Sequence, residues 1–179
     1  MKKTICVFCG SRAGTNPEWI DLAKQLGQGI AERGWSLIYG GGNSGLMGLV
    51  ADGALQGGGD VVGISPHWLA AKEPVKHELT ELIHVETMGE RKDLMEARSD
   101  AFVIIPGGIG TMDELFEVWT TRQLKPDHKK IILVNWHGFF DHLIMFISHS
   151  QKSGFLTESH LRKISIVDNL DEIYEALEN

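Results

Sequence analysis

Short apolar segments alternate with amphipathic ones along the whole chain, and this alternation limits the possible folds more than any other feature of the sequence. Runs such as Thr4–Cys9 and Ala101–Ile105 are almost continuously apolar, which is typical of strands buried on both faces. The predicted strands are Thr4–Cys9, Trp35–Tyr39, Asp60–Ile64, Leu82–Val85, Ala101–Ile105, Lys130–Asn135 and Ile164–Val167. Helical spacing of apolar residues predicts helices from Pro17 (capped by Asn16) to Gly34 and over Leu46–Gln56, Met88–Arg98, Met112–Leu124, Phe139–Ser153 and Asp171–Leu177.

This pattern predicts a single α/β domain over residues 1–179, with a Rossmann-like, doubly wound parallel sheet. Residues 65–80 fit either a helix or a flap. In such a sheet each helix runs back antiparallel to its strands, so helix N-termini collect where the strands end. We therefore expect the helix starts at Leu46, Met88 and Met112 to face one crevice.

The formal net charge of −7 argues against binding of long nucleic acids through a broad basic surface. It leaves room for a small anion, because a few helix N-termini can hold one phosphate whatever the overall charge. No stretch approaches the roughly 20 apolar residues of a membrane span, and the start of the chain lacks the pattern of a signal peptide. We therefore predict no membrane association and a cytoplasmic location.

The only cysteines, Cys6 and Cys9, lie three residues apart in the first predicted strand. A redox pair is one interpretation of that spacing. In a strand, however, a spacing of three directs the two side chains to opposite faces. We therefore expect both thiols to be buried and structural.

Two glycine-rich segments, Gly40–Gly48 and Pro106–Thr111, each connect a predicted strand to a predicted helix. Glycine lets the backbone N–H groups approach an anion closely, and the helix N-terminus adds unsatisfied donors. Tight turns that only pack strand against helix are the alternative. Two such segments at one sheet edge favour phosphate or nucleotide binding. Neither is a Walker A loop, and the dinucleotide fingerprint is missing after the first strand, which argues against hydride transfer.

Charged residues occupy the starts of two predicted helices. Arg91 and Lys92 are cations at a helix N-terminus, where cations are usually unfavourable, so they either belong to a solvated mixed-charge turn or bind phosphate and sugar oxygens. Carboxylates such as Glu117 commonly interact with the helix dipole. Glu114 differs because it follows the glycine-rich segment by one helical turn, where a carboxylate would face an electropositive part of the ligand.

Two other chemistries are disfavoured by spacing. His137 and His142 lie near Asp141, but a fourth ligand and paired spacing are missing, so we predict no metal site. Ser44 lacks the glycine spacing of a nucleophile elbow, which argues against esterase chemistry.

At Glu90–Lys92 and Pro106–Glu114 together, the sequence resembles the LONELY GUY family of cytokinin-activating phosphoribohydrolases. The family motif Pro-Gly-Gly-x-Gly-Thr-x-x-Glu is complete at Pro106–Glu114, and Glu-Arg-Lys stands at Glu90–Lys92. The run Gly40–Gly48 and the Cys9–Ser11 tripeptide are also similar to the family. Gly89 departs from it, because many members carry histidine there.

The resemblance implies a Rossmann-like homodimer that hydrolyses N6-substituted adenosine 5′-monophosphates, and often AMP, to free base and ribose 5-phosphate. It assigns Arg91 and Glu114 as the catalytic pair, and it implies neither a metal nor a cofactor. Some relatives carry the label lysine decarboxylase, but nothing in this sequence indicates a bound pyridoxal phosphate. The residues implied to contact phosphate or nucleotide are Gly108, Ile109, Gly110, Thr111, Lys92, Glu73 and Thr120. The glycine-rich segments and the first strand's end add Gly41, Gly42, Ser44, Gly45, Gly107, Met112, Asp113 and Ser11.

In the mechanism that we expect, the 5′-phosphate docks on the N–H groups of residues 108–111 and anchors the ribose. Glu114, at the exposed start of its helix, stabilises positive charge on the sugar or orients the attacking water. Arg91 keeps Glu114 ionised. Two other classes remain open: a non-catalytic nucleotide or molybdenum-cofactor carrier, and an oxidoreductase that binds a nicotinamide cofactor.

Overall fold

A computed structural model of the protein describes residues 2–70, 75–124 and 129–179. All strands in these ranges belong to one parallel sheet. They are β1 (Thr4–Phe8), β2 (Ser36–Tyr39), β3 (Val61–Pro66), β4 (Glu81–Val85), β5 (Ala101–Ile104), β6 (Lys130–Val134) and β7 (Ile164–Val167). Their order across the sheet is β4-β3-β2-β1-β5-β6-β7. The doubly wound parallel α/β prediction is confirmed.

Helices cover both faces of this sheet. They are α1 (Glu18–Glu32), α2 (Gly45–Gln56), α3 (His67–Ala70), α4 (Met88–Ala97), α5 (Ile109–Leu124), α6 (Asp141–Lys152), α7 (Glu158–Leu161) and α8 (Leu170–Glu178). Helix α7 was not predicted, because one helical turn is too short to show a periodic apolar pattern. Helix α3 lies in the segment 65–80, for which a helix was one of two alternatives. In the described ranges, none of the helices combines the length and hydropathy needed to cross a membrane.

The start of α5 corrects the sequence prediction. We expected a loop up to Thr111 and a helix from Met112, because glycine is a poor helix former. In the structure the carbonyl of Gly108 already accepts the N–H of Met112 at 3.1 Å, so the helix begins at Ile109. Half of the predicted phosphate loop is therefore the first turn of a helix.

Two further helix starts also differ from prediction. Helix α1 begins at Glu18 rather than Pro17, and the Asn16 side chain accepts the Glu18 N–H at 3.0 Å. Helix α6 begins at Asp141 rather than Phe139, because a 3₁₀ turn over Trp136–Gly138 comes first.

Apolar side chains form a core layer on each face of the sheet. Cys6 lies in the layer that contains Phe102 and Leu115, whereas Cys9 lies in the opposite layer with Leu46. Both cysteines are free and buried. The expectation that they point to opposite faces is confirmed, since β1 alternates its side chains between the layers.

The sheet reverses its winding direction between β1 and β5. The chain runs outward from β1 to β4 and then returns to the other side of β1 as β5. In open parallel sheets, ligands bind outside the carboxyl ends of the strands at such a switch point. Here the loops after these two strands are joined directly, because Gly10 N–H donates to the Pro106 carbonyl at 3.1 Å.

Candidate active site

A cavity of about 560 Å³ opens at the carboxyl edge of the sheet, over this switch point. The segments that follow β1, β2, β3 and β5 line it. Leu46 of α2, Arg91 of α4 and Thr111 of α5 all line the cavity as well. The predicted convergence of three helix starts is therefore confirmed.

The segment after β5 forms one wall of the cavity with Gly107, Gly108, Ile109, Gly110 and Thr111. A side chain at Gly107 would put its Cβ 2.0 Å from Thr111 Oγ1, so only glycine lets this turn close against the helix. The first N–H groups of α5 have no partner within the helix, and the helix dipole is positive there. The wall can hold a phosphate without any cationic side chain.

A capping box fixes the start of α4. The Thr87 hydroxyl accepts the Glu90 N–H at 3.1 Å, and the Glu90 carboxylate accepts the N–H groups of Glu86 and Thr87. Glu90 thus satisfies the backbone of the first turn. The next residue, Arg91, is turned inward, and only 6 % of its surface is exposed.

Arg91 is held by backbone on two neighbouring strands. Its Nε–H donates to the Ile64 carbonyl of β3 at 3.0 Å. Its guanidinium also lies against Gly40 at the end of β2, where a Cβ would come within 1.9 Å of Nη2. A side chain at this position would displace the guanidinium from the place where it lies.

Glu114 lies opposite Arg91, with 3.6 Å between its Oε1 and Arg91 Nη1. It follows Thr111 by three residues on the same helix, so its carboxylate lies one turn beyond the helix start. We expected this side chain to be exposed, and that was wrong: Glu114 is 8 % exposed, because it faces the cavity instead of open solvent.

Burial raises the pKa of Glu114 from its ordinary 4.5 to about 7, because the charged form loses its hydration. The Arg91 guanidinium lowers this pKa and Asp113 raises it, but burial is the larger effect. The expectation that Arg91 keeps Glu114 fully ionised is therefore corrected.

Lys92, Asp113 and Thr120 lie outside this cavity, around a shallow depression on the outer side of α5. Lys92 pairs there with Asp113 at 3.0 Å and with Glu117 at 2.5 Å. The hydrogen bond to Glu117 is the main cause of a raised Lys92 pKa. These three predicted nucleotide contacts are therefore separated from the Arg91–Glu114 pair.

The remaining predicted residues divide between the cavity and its support. Ser11 and Gly42 line the cavity. Gly41 and Gly45 have φ values of +78° and +60°, which turn the backbone before α2. Ser44 is exposed at the N-cap position of α2, where its side chain makes no capping hydrogen bond. Met112 packs against the core layer that contains Phe102 and Leu115. Glu73 lies outside the described residues.

Several cavity residues were missed by the sequence analysis. Arg12 lines the cavity from an exposed position, and Trp19 contacts Phe139 edge-on with ring centroids 5.3 Å apart. Leu69 and Val75 line the far end, near β3. Arg12 could have been found, since it is a cation directly after the first strand, whereas the others depend on tertiary packing.

Two of the three residues weighed for zinc binding are engaged in other contacts. His137 pairs with Glu18 at 3.0 Å, and Asp141 accepts a hydrogen bond from Asn135 at 2.8 Å. Over the described ranges, no cluster of three or more histidine, cysteine and acidic side chains is close enough to hold a metal ion.

Comparison with known proteins gives consistent matches. Residues 47–177 match the family model described as "Possible lysine decarboxylase". The cytokinin riboside 5′-monophosphate phosphoribohydrolase of Mycobacterium marinum is 40% identical over 173 residues, which cover 97% of this chain and 92% of that protein. An Arabidopsis thaliana protein of the same description is 41% identical over 176 residues, covering 98% of this chain and 83% of its own.

A solved structure shares the fold. The molybdenum cofactor carrier protein of Chlamydomonas reinhardtii superposes with a TM-score of 0.76 at 21% identity, over 99% of this chain and 97% of the other. At that identity the likeness extends to the fold and not to the ligand.

Proposed function

The chain belongs to the family of the cytokinin riboside 5′-monophosphate phosphoribohydrolases, and on that premise we propose that it hydrolyses the N-glycosidic bond of adenosine 5′-monophosphates, with or without an N6 substituent. The products are the free base and ribose 5-phosphate. One observation carries the proposal at the level of chemistry. A buried arginine–glutamate pair faces a cavity one helical turn beyond a helix N-terminus suited to phosphate.

The shape and lining of the cavity indicate how a nucleotide would be oriented in it. A phosphate on the first turn of α5 puts the ribose beside Glu114, which lies one turn further along that helix. Arg91 lies beyond it, against the ends of β2 and β3. The base then extends toward the apolar end of the cavity, where Leu69 and Val75 lie.

The reaction adds water across the bond between C1′ and the base. As that bond breaks, its electron pair leaves with the base and positive charge develops on C1′ and the ring oxygen. The Glu114 carboxylate stabilises this charge, and it accepts a proton from the water whose oxygen bonds to C1′. A pKa of about 7 suits that task near neutral pH. Arg91 orients the carboxylate and binds ribose oxygens.

A carrier function is the second candidate, and it rests on the shared fold alone. A carrier binds a phosphate-bearing ligand and does not need a carboxylate beside the sugar. The decarboxylase description fits this site less well, because the cavity wall, as far as it is described, includes no lysine to form a Schiff base with pyridoxal phosphate.

We also propose that two copies associate through the outer side of α5, in the cytoplasm. Ile109, Phe116 and Leu124 are exposed large apolar side chains on one stripe of that helix. Thr120 lies on the same stripe. An exposed apolar stripe next to the Lys92–Asp113 ion pair is the kind of surface that a second copy covers.

A substrate panel tests the proposed function. The purified chain is incubated with AMP, an N6-prenyl AMP, adenosine and NAD, and free base is measured by chromatography. We expect base from both monophosphates and none from adenosine, because the nucleoside lacks the phosphate that anchors the ribose. Binding of AMP without base release would favour a carrier.

A further inference from the structure

A buried lysine joins three segments at the apolar end of the cavity. Lys76 is 6 % exposed, and its ammonium group pairs with Asp52 of α2 at 2.6 Å. The same group donates to Asn43 Oδ1, in the glycine-rich segment after β2, at 3.1 Å. Burying an ammonium group this far from water is costly unless polar partners such as these replace the water.

The backbone beside this lysine is joined to the same glycine-rich segment. The Lys76 N–H donates to the Gly41 carbonyl at 3.1 Å, and Val75 forms an antiparallel bridge with Gly42. The side-chain and backbone contacts therefore act together. They hold residues 75 and 76 against the turn that connects β2 to α2.

Both residues of that bridge line the cavity. Val75 and Gly42 lie at the end away from the α5 N-terminus, on the side of the Arg91–Glu114 pair where β2 and β3 end. Lys76 itself does not line the cavity. It can influence a ligand only through the wall that it holds in place.

We propose that Lys76 is a positioning residue that fixes the base-binding wall of the cavity. It does so by joining Val75 and Gly42 through its contacts with Asp52 and Asn43. The inference rests on the proposed function, because it takes the occupant of that end to be the base of a nucleoside 5′-monophosphate. Lys76 sets affinity for the base, and phosphate and ribose are bound elsewhere.

The test compares a ligand that has a base with one that lacks it. Lys76→Met keeps the length of the side chain and removes its charge. We expect the KM for AMP to rise about tenfold with kcat little changed, because a wall that binds the base contributes equally before and during reaction. The inhibition constant of ribose 5-phosphate should change less than twofold. Lys152→Met, on the exposed end of α6, is the matched control.

Asp52→Asn provides a second variant in case Lys76→Met does not fold. It leaves Lys76 with its bond to Asn43, and we expect the same selective rise in KM, about threefold. The inference is overturned if the variants bind AMP and ribose 5-phosphate more weakly by the same factor, or if the affinity for neither ligand changes. If the wild-type chain releases no base, the proposed function fails by itself, and calorimetric titration with AMP and ribose 5-phosphate then makes the same comparison.

Discussion

Arg91 and Glu114 face each other across 3.6 Å, from the first turn of α4 and the second turn of α5, at the carboxyl edge of one sheet. Each is less than a tenth exposed, yet both line the cavity. A pair buried for stability alone would be enclosed on every side. This pair has one open side, and that side adjoins the helix N-terminus at which a phosphate can bind.

The pH dependence of kcat/KM for AMP should contain an ionisation of the free enzyme near 7. Glu114 must lose its proton to act as carboxylate, so activity rises with pH through its pKa of about 7 and levels off above it. Phosphate monoesters titrate near about 6. We therefore expect a plot of log(kcat/KM) against pH to have a slope of one between the phosphate pKa and the Glu114 pKa. Below the phosphate pKa the slope should be steeper. A profile with its sole inflection near 6 would argue against the role of Glu114.

The same ionisation should affect stability in the opposite sense. The folded-state pKa of about 7 lies above the ordinary value of 4.5, so the folded state holds this proton more tightly than the unfolded state. As pH rises from 4.5 to about 7, the unfolding free energy of the wild type should fall by up to about 1.4 kcal/mol per pH unit relative to Glu114→Gln. Urea unfolding of both proteins from pH 5 to pH 8 measures this. Parallel curves would contradict a raised pKa.

Arg12→Gln should weaken phosphate binding. Arg12 lines the cavity from an exposed position, and over the described part of the chain no carboxylate lies within ion-pair distance of it. We expect the KM for AMP to rise three- to fivefold, about 1 kcal/mol, with kcat unchanged. The salt dependence of KM should also decrease. Arg162→Gln, at the exposed end of α7, is the control, and equal effects in both would exclude a specific role.

Phe116→Asp should separate the proposed dimer. A charge in the exposed apolar stripe of α5 would be buried without a partner in the interface. Sedimentation velocity should give two chains per particle for the wild type and one for the variant. Phe155→Asp, an exposed phenylalanine outside α5, should leave the assembly unchanged. A monomeric wild type would refute the proposal directly.

The sheet and the placement of Arg91 and Glu114 could be predicted, because both depend on local signals. Continuous apolar runs identify buried strands, and parallel topology brings the helix starts to one edge. The motif residues 106–114 and 90–92 then fall on neighbouring segments. The start of α4, which positions Arg91, is also indicated by the sequence, since Thr87 and Glu90 have the spacing of a capping box.

The remaining features depend on contacts between distant parts of the chain. The early start of α5 could not be predicted from two glycines that disfavour helix, because the fold overrides local propensity there. The burial that raises the pKa of Glu114 comes from the segments that surround it in the cavity wall, which are distant in sequence. The Lys76 contacts join residues 24 and 33 positions apart, and no local pattern indicates such partners.

The measurement that tests the account most directly is base release from AMP by Glu114→Gln beside the wild type. The amide keeps the shape of the carboxyl group, but it can neither carry negative charge toward C1′ nor accept a proton. We predict that kcat falls at least about 100-fold while AMP still binds by calorimetry. A variant that releases base at the wild-type rate would contradict the proposed chemistry.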